Sequence, residues 1–348
     1  MNPVDPPRLF GDTALGLAVF KSIPEDFQVE EILGFEPSGE GEHCFLWVEK
    51  TDRNSNDVAG EFADRLGIRK RLVSHCGLKD KQAVTRQWFS IHLPGQDSPT
   101  VEALEGEGIK ILKISRNSRK LHRGSHDGNR FIIRLRECTG DRNEIEERWE
   151  KIIERGVPNY FGPQRFGRNG NNIPQAREFL SGDVEIRDRM LRGILISAAR
   201  SALFNAVIAT RVENENWDRP LEGEVFGFAE NRSLVLPNNL RGNESERVAK
   251  AELNLTAPLW GDGELQSAGE VKELEESVIA SFEDFASGLA KLGLRQERRV
   301  VRLIPRNPEI EWENEWGNDD ELVLRFDLPK GTYATTVLRE LVELDSIQ

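Results

Sequence analysis

Short alternating runs stand toward both ends of this chain, and they constrain its fold more than any other feature. From Arg130 to Arg136, Phe131, Ile133 and Leu135 fall on one side of an extended backbone. Arg130, Ile132, Arg134 and Arg136 fall on the other, the period of two that a strand imposes. That second side is either a basic sheet face with a use or an ordinary solvated one. Phe89, Ile91 and Leu93 alternate with Ser90 and His92, which predicts a half-buried strand. Val29 to Ile32, Cys44 to Val48 and Ile109 to Ser115 are further strand candidates, and Val300 to Ile304 and Leu322 to Leu328 bring the pattern back late in the chain.

Helical spacing separates these runs. Asp57 to Leu66 places Val58, Phe62 and Leu66 on one face, with Ser55 or Asn56 as the expected cap. Asn143 to Arg155 turns Ile145, Trp149, Ile152 and Ile153 inward and stops at Gly156 and Pro158. A Gly/Asn-rich stretch, "GVPNYFGPQRFGRNGNN", follows. Longer helices are predicted from about Asp188 to Val212 and from Val271 to Leu292, and a closing helix from Thr335 to Leu344.

Charge divides the chain in the same places. Residues 116–136 carry seven Lys/Arg against one acid, whereas residues 213–284 carry 17 Asp/Glu against six Lys/Arg. The middle therefore reads as a separate unit set between two flanks of mixed α and β character. At 348 residues the chain has room for two cores, since single cores stop growing near ~250–300 residues. A net charge of −13 does not exclude a polyanionic partner. Salt screens a distant acidic face beyond a Debye length of about 8 Å. The N-terminal stretch has no basic n-region followed by an apolar core, and no segment approaches the ~20 apolar residues of a bilayer span. Three widely spaced cysteines suit a reducing compartment, so the expectation is a cytoplasmic protein without a membrane segment.

Few stretches could carry chemistry. His43-Cys44 and His75-Cys76 suggest zinc, but adjacent strand residues point to opposite faces and no CxxC or HExxH spacing occurs, so no metal site is expected. "PSGEGEH" and "GRNGNN" match neither phosphate-binding glycine pattern, and no G-x-S-x-G is present. Cys76 reads as a small buried residue. What remains is "GLKDKQAVTRQ", in which Asp80 sits between Lys79 and Lys81 in a turn before a strand. A solvated loop looks like this. So does a reactive carboxylate, because cationic neighbours favour the charged form and one ionised, oriented carboxylate can serve as nucleophile or base. Asn129 and Phe131 in "NRFIIRLR" and Tyr333 in "GTYATT" add an amide and aromatic rings, the means of holding an extruded RNA base. Phe131 has a plainer reading as a core residue of its strand.

The same stretch resembles the G-x-K-D-x-x-A-x-T-x-Q signature of the TruD family of pseudouridine synthases. "IPEDFQVEEI", "GNRF", "NYFGPQRFG", "ARSALFN" and "GTYATTVLREL" resemble family segments too, in family order and nearly end to end. The resemblance implies an α/β (α+β) fold. A catalytic domain with a mixed, largely antiparallel sheet, residues 1–154 and 306–348, would be interrupted by an inserted α/β domain at 155–305. It implies isomerisation of uridine to pseudouridine in tRNA, typically at position 13, without metal or organic cofactor and with no obligate protein partner inferred. Asp80 matches the catalytic aspartate and Lys21 its basic partner. Asn129 and Phe131 match base- and sugar-side contacts, and Phe27 lies in the "PEDF" block. Tyr333 departs from the family's usual Phe, and its hydroxyl needs a partner if buried.

RNA phosphate contacts are expected from Lys79, Lys81, Arg116, Arg119, Lys120, Arg123 and Arg134, with Asn159 and Arg165 of the "NYFGPQRFG" loop facing the RNA from the insert. That loop could equally serve only to anchor the insert. Two rivals stay open: a non-catalytic RNA-binding protein on the same fold, and a hydrolase of sugars or nucleosides using Glu25 or Asp26 as a second carboxylate.

Overall fold

The computed structural model describes residues 2–228, 231, 233–313 and 321–346. The chain forms two compact units. One comprises Leu15–Ile153, Pro305–Gly331 and Leu341–Gln348, the other Met1–Ala14, Glu154–Ile304 and Thr332–Glu340. Residues 1–14 and 332–340 thus group with the middle of the chain and not with its flanks.

The first unit is built on one sheet. Its strands are β1 (Leu17–Phe20), β2 (Phe27–Ile32), β3 (His43–Thr51), β4 (Val73–His75), β5 (Val84–His92), β6 (Ile109–Asn117), β7 (Gly128–Arg136), β8 (Arg306–Glu313), β9 (Glu321–Pro329) and β10 (Glu343–Ser346). Among the described residues the order is β8-β9-β7-β2-β5-β3-β6, with β4 on β5 and β1 on both β7 and β10. Only β2·β5 and β1·β10 are parallel, so the sheet is mixed and largely antiparallel.

The alternation in β7 sets the inner face: Phe131, Ile133 and Leu135 are buried opposite Phe326, Leu324 and Leu322 of β9. Gly128, at the start of β7, has no substitute, because a Cβ there would lie 2.4 Å from the Leu328 carbonyl oxygen. Helices α1 (Ser55–Arg65) and α2 (Arg142–Arg155) pack their apolar stripes, Val58, Phe62 and Ala63 and then Ile145, Trp149 and Ile152, into this unit.

Several expectations shift. The N-cap of α1 is Asn54, not Ser55 or Asn56, and its side chain makes no capping bond. The run expected to be half-buried, β5, has Trp88, Phe89, Ser90 and Ile91 all buried, because both faces are covered: Phe89 and Ile91 pack with Val58 and Phe62 of α1, and Trp88 with Leu33, Cys76 and Leu121. The predicted closing helix stops at Leu338, and the chain then enters β10 parallel to β1.

In the second unit, α3 (Asn172–Ser181), α4 (Arg189–Glu213), α5 (Gly269–Ala280) and α6 (Glu283–Lys291) surround a small antiparallel sheet of Leu234–Val235, Phe226–Gly227, Asn254–Leu259 and Glu297–Val300. The single helix expected from Val271 to Leu292 is therefore two, broken at residues 281–282. The Asp188 carboxylate caps α4, accepting from the Met190 amide at 2.7 Å. Against expectation, α4 is long and apolar enough to cross a membrane. It is instead the central helix of this unit: 67% of its apolar window is buried, against Phe226, Leu255 and Leu289 among others.

Candidate active site

Asp80 lies in the loop at 76–83, between β4 and β5. Its carboxylate is half exposed, and the Lys21 ammonium stands 2.8 Å from it. Lys21 follows β1 with a φ of 61°, the left-handed region that a side chain other than glycine rarely adopts. Its Nζ also sits over the Phe27 ring, 3.9 Å from the centroid. The cation is thus held between a carboxylate and an aromatic face.

Behind Asp80 the sheet supplies a second cation. Register places Glu31 of β2 opposite Asn129 of β7, and Val29 opposite Phe131. Lys79 spans the first pair, donating to Asn129 Oδ1 at 2.8 Å with its Nζ 3.0 Å from Glu31 Oε2. The Glu31 approach is a charge contact without hydrogen-bond alignment. The Lys79 and Glu31 side chains are 6% and 0% exposed, so Lys79 is a structural cation and not the surface phosphate contact expected of it. Phe27 and Phe131 are also buried, 6.0 Å apart, and Phe131 stacks on Phe326.

The basic face of β7 is spent on the protein itself. Arg130 binds Asp327, Arg134 is clamped by Glu313 and Glu321, and Arg136 by Asp26 and Glu321. Arg134 is therefore neutralised where it stands. Asp26 is buried with both oxygens on Arg136, which removes it as a second reactive carboxylate. Arg116 is tied to Ser98 and to the Leu93 and Gln96 carbonyls. Lys81, Arg119, Lys120 and Arg123 are exposed.

The remaining expected residues belong to the second unit. Arg165 donates to the Tyr333 hydroxyl at 2.5 Å and to Ser197 at 3.0 Å, which supplies the partner that hydroxyl needs. Asn159 is 1% exposed, accepts from Arg299 and donates to the Val300 carbonyl. It is an internal strut, closed to RNA in this structure. Burial pushes the Arg299 guanidinium down to about 10. Asn205 closes the same block, bonding both the amide and the carbonyl of Phe161.

Metal-ligating side chains do converge at one place among the described residues. Glu31, Cys76 and His126 bring their ligand atoms within 4.8 Å of one another, all buried. Lys79 already neutralises Glu31, and burial, with Glu31 beside it, pushes the Cys76 thiol up to about 12.

Sequence reasoning missed Lys50. It is 1% exposed and donates to the Asp80 carbonyl at 2.9 Å and the Arg53 carbonyl at 2.6 Å. Its signal was a lysine in phase with the inward-facing Leu46 and Val48 of β3. Ser55 and Gln87 were missed too. The Ser55 hydroxyl donates to Gln87 and accepts from the Lys79 amide, and Gln87 donates to the Gly77 carbonyl.

Comparison with known proteins defines the class first. The family described as "tRNA pseudouridine synthase D (TruD)" matches residues 16–189 and 180–341. A solved chain from Methanosarcina mazei, provisionally named tRNA pseudouridine synthase D, shares the fold with a TM-score of 0.74 at 22% identity, over 98% of this chain and 95% of that one. A tRNA pseudouridine synthase D of Pseudomonas fluorescens (strain Pf0-1) is 43% identical over 97% of this chain and 94% of its own length. One of Stutzerimonas stutzeri (strain A1501) is also 43% identical, over 97% and 96%. The chain belongs to the TruD family of tRNA pseudouridine synthases, and it is an isomerase.

Proposed function

We propose that Asp80 is the nucleophile or base that converts a uridine of tRNA, at position 13, to pseudouridine. The observation that carries this reading is the half-exposed Asp80 carboxylate 2.8 Å from Lys21, on a loop whose backbone is fixed by buried polar groups. The reaction breaks the bond from C1′ to N1 of the uracil and forms one from C1′ to C5, while the C5 proton is lost and N1 gains one. It is redox-neutral. Asp80 attacks C1′ or the base, or removes a sugar proton. The detached uracil turns and rejoins through carbon.

Phe27 and Phe131 form the apolar wall beneath, and Asn129, oriented by Lys79, offers its amide to the base or sugar. Extruding the uridine costs a few kcal/mol. Phosphate contacts from the exposed Lys81, Arg119, Lys120 and Arg123 offset that. The folding units correspond, on this reading, to a catalytic domain and an insert. Three buried free thiols fit a cytoplasmic site of action.

The test is tritium release from tRNA transcripts labelled at uracil C5. Wild type releases label from one uridine and Asp80→Ala releases none, with folding and tRNA affinity retained. Turnover by Asp80→Ala would end the assignment, and binding without release by wild type would favour a non-catalytic RNA-binding role.

A further inference from the structure

Residues 76–83 carry Asp80 without a helix or ladder of their own. Such a segment needs its carbonyls and amides held from outside. Three buried side chains from three elements do this. Gln87 of β5 holds the Gly77 carbonyl, Ser55 at the start of α1 holds the Lys79 amide, and Lys50 of β3 holds the carbonyl of Asp80 itself. Lys50 stands apart within the set. It is the one with a charge, and it reaches the main chain of the reacting residue directly.

We infer that Lys50 is a positioning residue for the isomerisation, its ammonium fixing the Asp80 backbone so that the carboxylate meets the uridine in one orientation. This rests on the reading of Asp80 as the catalytic carboxylate. A buried lysine is an expensive way to hold a carbonyl that a neutral amide can hold, as Gln87 does for Gly77 in the same loop. What the ammonium adds is a charge-assisted bond at the point where a shift of about 1 Å would misplace a reacting group.

The same burial makes the device sensitive to pH. Burial lowers the Lys50 ammonium to about 8, with Asp80 opposing the shift and Lys79 adding to it. Its cross-strand neighbours, Thr85 on β5 and Ile109 on β6, carry no charge. Activity and the contribution of Lys50 to stability then respond in opposite directions. As pH rises through about 8, Lys50 loses its proton, the grip on the Asp80 carbonyl weakens, and turnover falls. Between about 8 and the ordinary lysine value near 10.4, Lys50 binds a proton in the unfolded chain and not in the folded one, so its own contribution to stability rises with pH, while the buried Cys76 thiol contributes in the opposite sense. A merely structural lysine would give no loss of turnover in that window.

The experiment measures kcat, KM and tRNA affinity from pH 6.5 to 10 for wild type, Lys50→Met, Lys50→Arg and Asp80→Ala. Wild type should lose turnover at least tenfold above pH 8 at constant tRNA affinity. Lys50→Met should show kcat at least tenfold lower at pH 7, KM within twofold, and no limb near pH 8. Lys50→Arg should regain turnover and keep it to pH 10. Wild-type kcat that stays flat across pH 8, a limb that persists in Lys50→Arg, or full turnover in Lys50→Met each overturns the inference. The wild-type profile decides alone if Lys50→Met fails to fold. Turnover by Asp80→Ala would strike the underlying reading instead; a dead Asp80→Ala beside a fully active Lys50→Met strikes only Lys50.

Discussion

Lys79 and Glu31 form an ion pair beneath the Asp80 loop, 3.0 Å apart and almost wholly out of solvent. Breaking a buried pair from one side strands a charge, which destabilises by about 3–5 kcal/mol. Glu31→Gln should lower the unfolding free energy by about that amount in urea titration. The double variant Glu31→Gln/Lys79→Met should recover much of it. Single variants that each lose under ~1 kcal/mol would show that the pair does not hold this loop.

The Lys21–Asp80 pair is of the opposite kind, being open to solvent, and exposed pairs contribute only about 0–1 kcal/mol. Lys21→Met should therefore melt close to wild type while its kcat drops by about 10²-fold, the usual effect of removing one preorganised charge from a reacting site. A large loss of stability with kcat unchanged would make Lys21 a structural residue.

Arg119 and Lys120 extend into solvent from the loop between β6 and β7. Replacing both with Ala should weaken tRNA binding and flatten the log–log salt dependence by about one unit for each phosphate that is no longer neutralised. An unchanged slope removes this loop from the RNA footprint.

The Cys76 thiol, buried and pushed up to about 12, is a poor nucleophile at neutral pH. Native protein should resist iodoacetamide at pH 8 and take up label at Cys44, Cys76 and Cys138 on unfolding, read by mass spectrometry. Rapid labelling of Cys76 in native protein would mean the Asp80 loop opens readily.

Much of this was legible in the chain. Strand-like runs predicted β2, β3, β5, β6, β7 and β9, with period-two alternation in β5 and β7, and the helical run from about Asp188 to Val212 predicted the longest helix, because those patterns follow from local geometry. The TruD signature around Asp80 was equally readable, as were Lys21, Phe27, Asn129 and Phe131, which the fold brings to one region. Side-chain chemistry was less so. Seven cations in 21 residues look like a phosphate-binding surface until the register sets Asp327 and Glu321 beside Arg130, Arg134 and Arg136.

The chain by itself determined which segments alternate, which helices have an apolar stripe, and which aspartate carries the family signature. Tertiary structure alone decided which charges are free. Lys79 lies in a surface-like turn yet is buried on Glu31, 48 positions earlier, and Lys50 crosses from β3 to hold the backbone of Asp80, 30 positions later. Residues 343–344, expected to end the closing helix, likewise pair with Leu17 and Ala18 as the start of β10. Periodicity is a property of neighbours in sequence. The partner of a charge or an edge strand is set by register between segments far apart, and no local pattern records it.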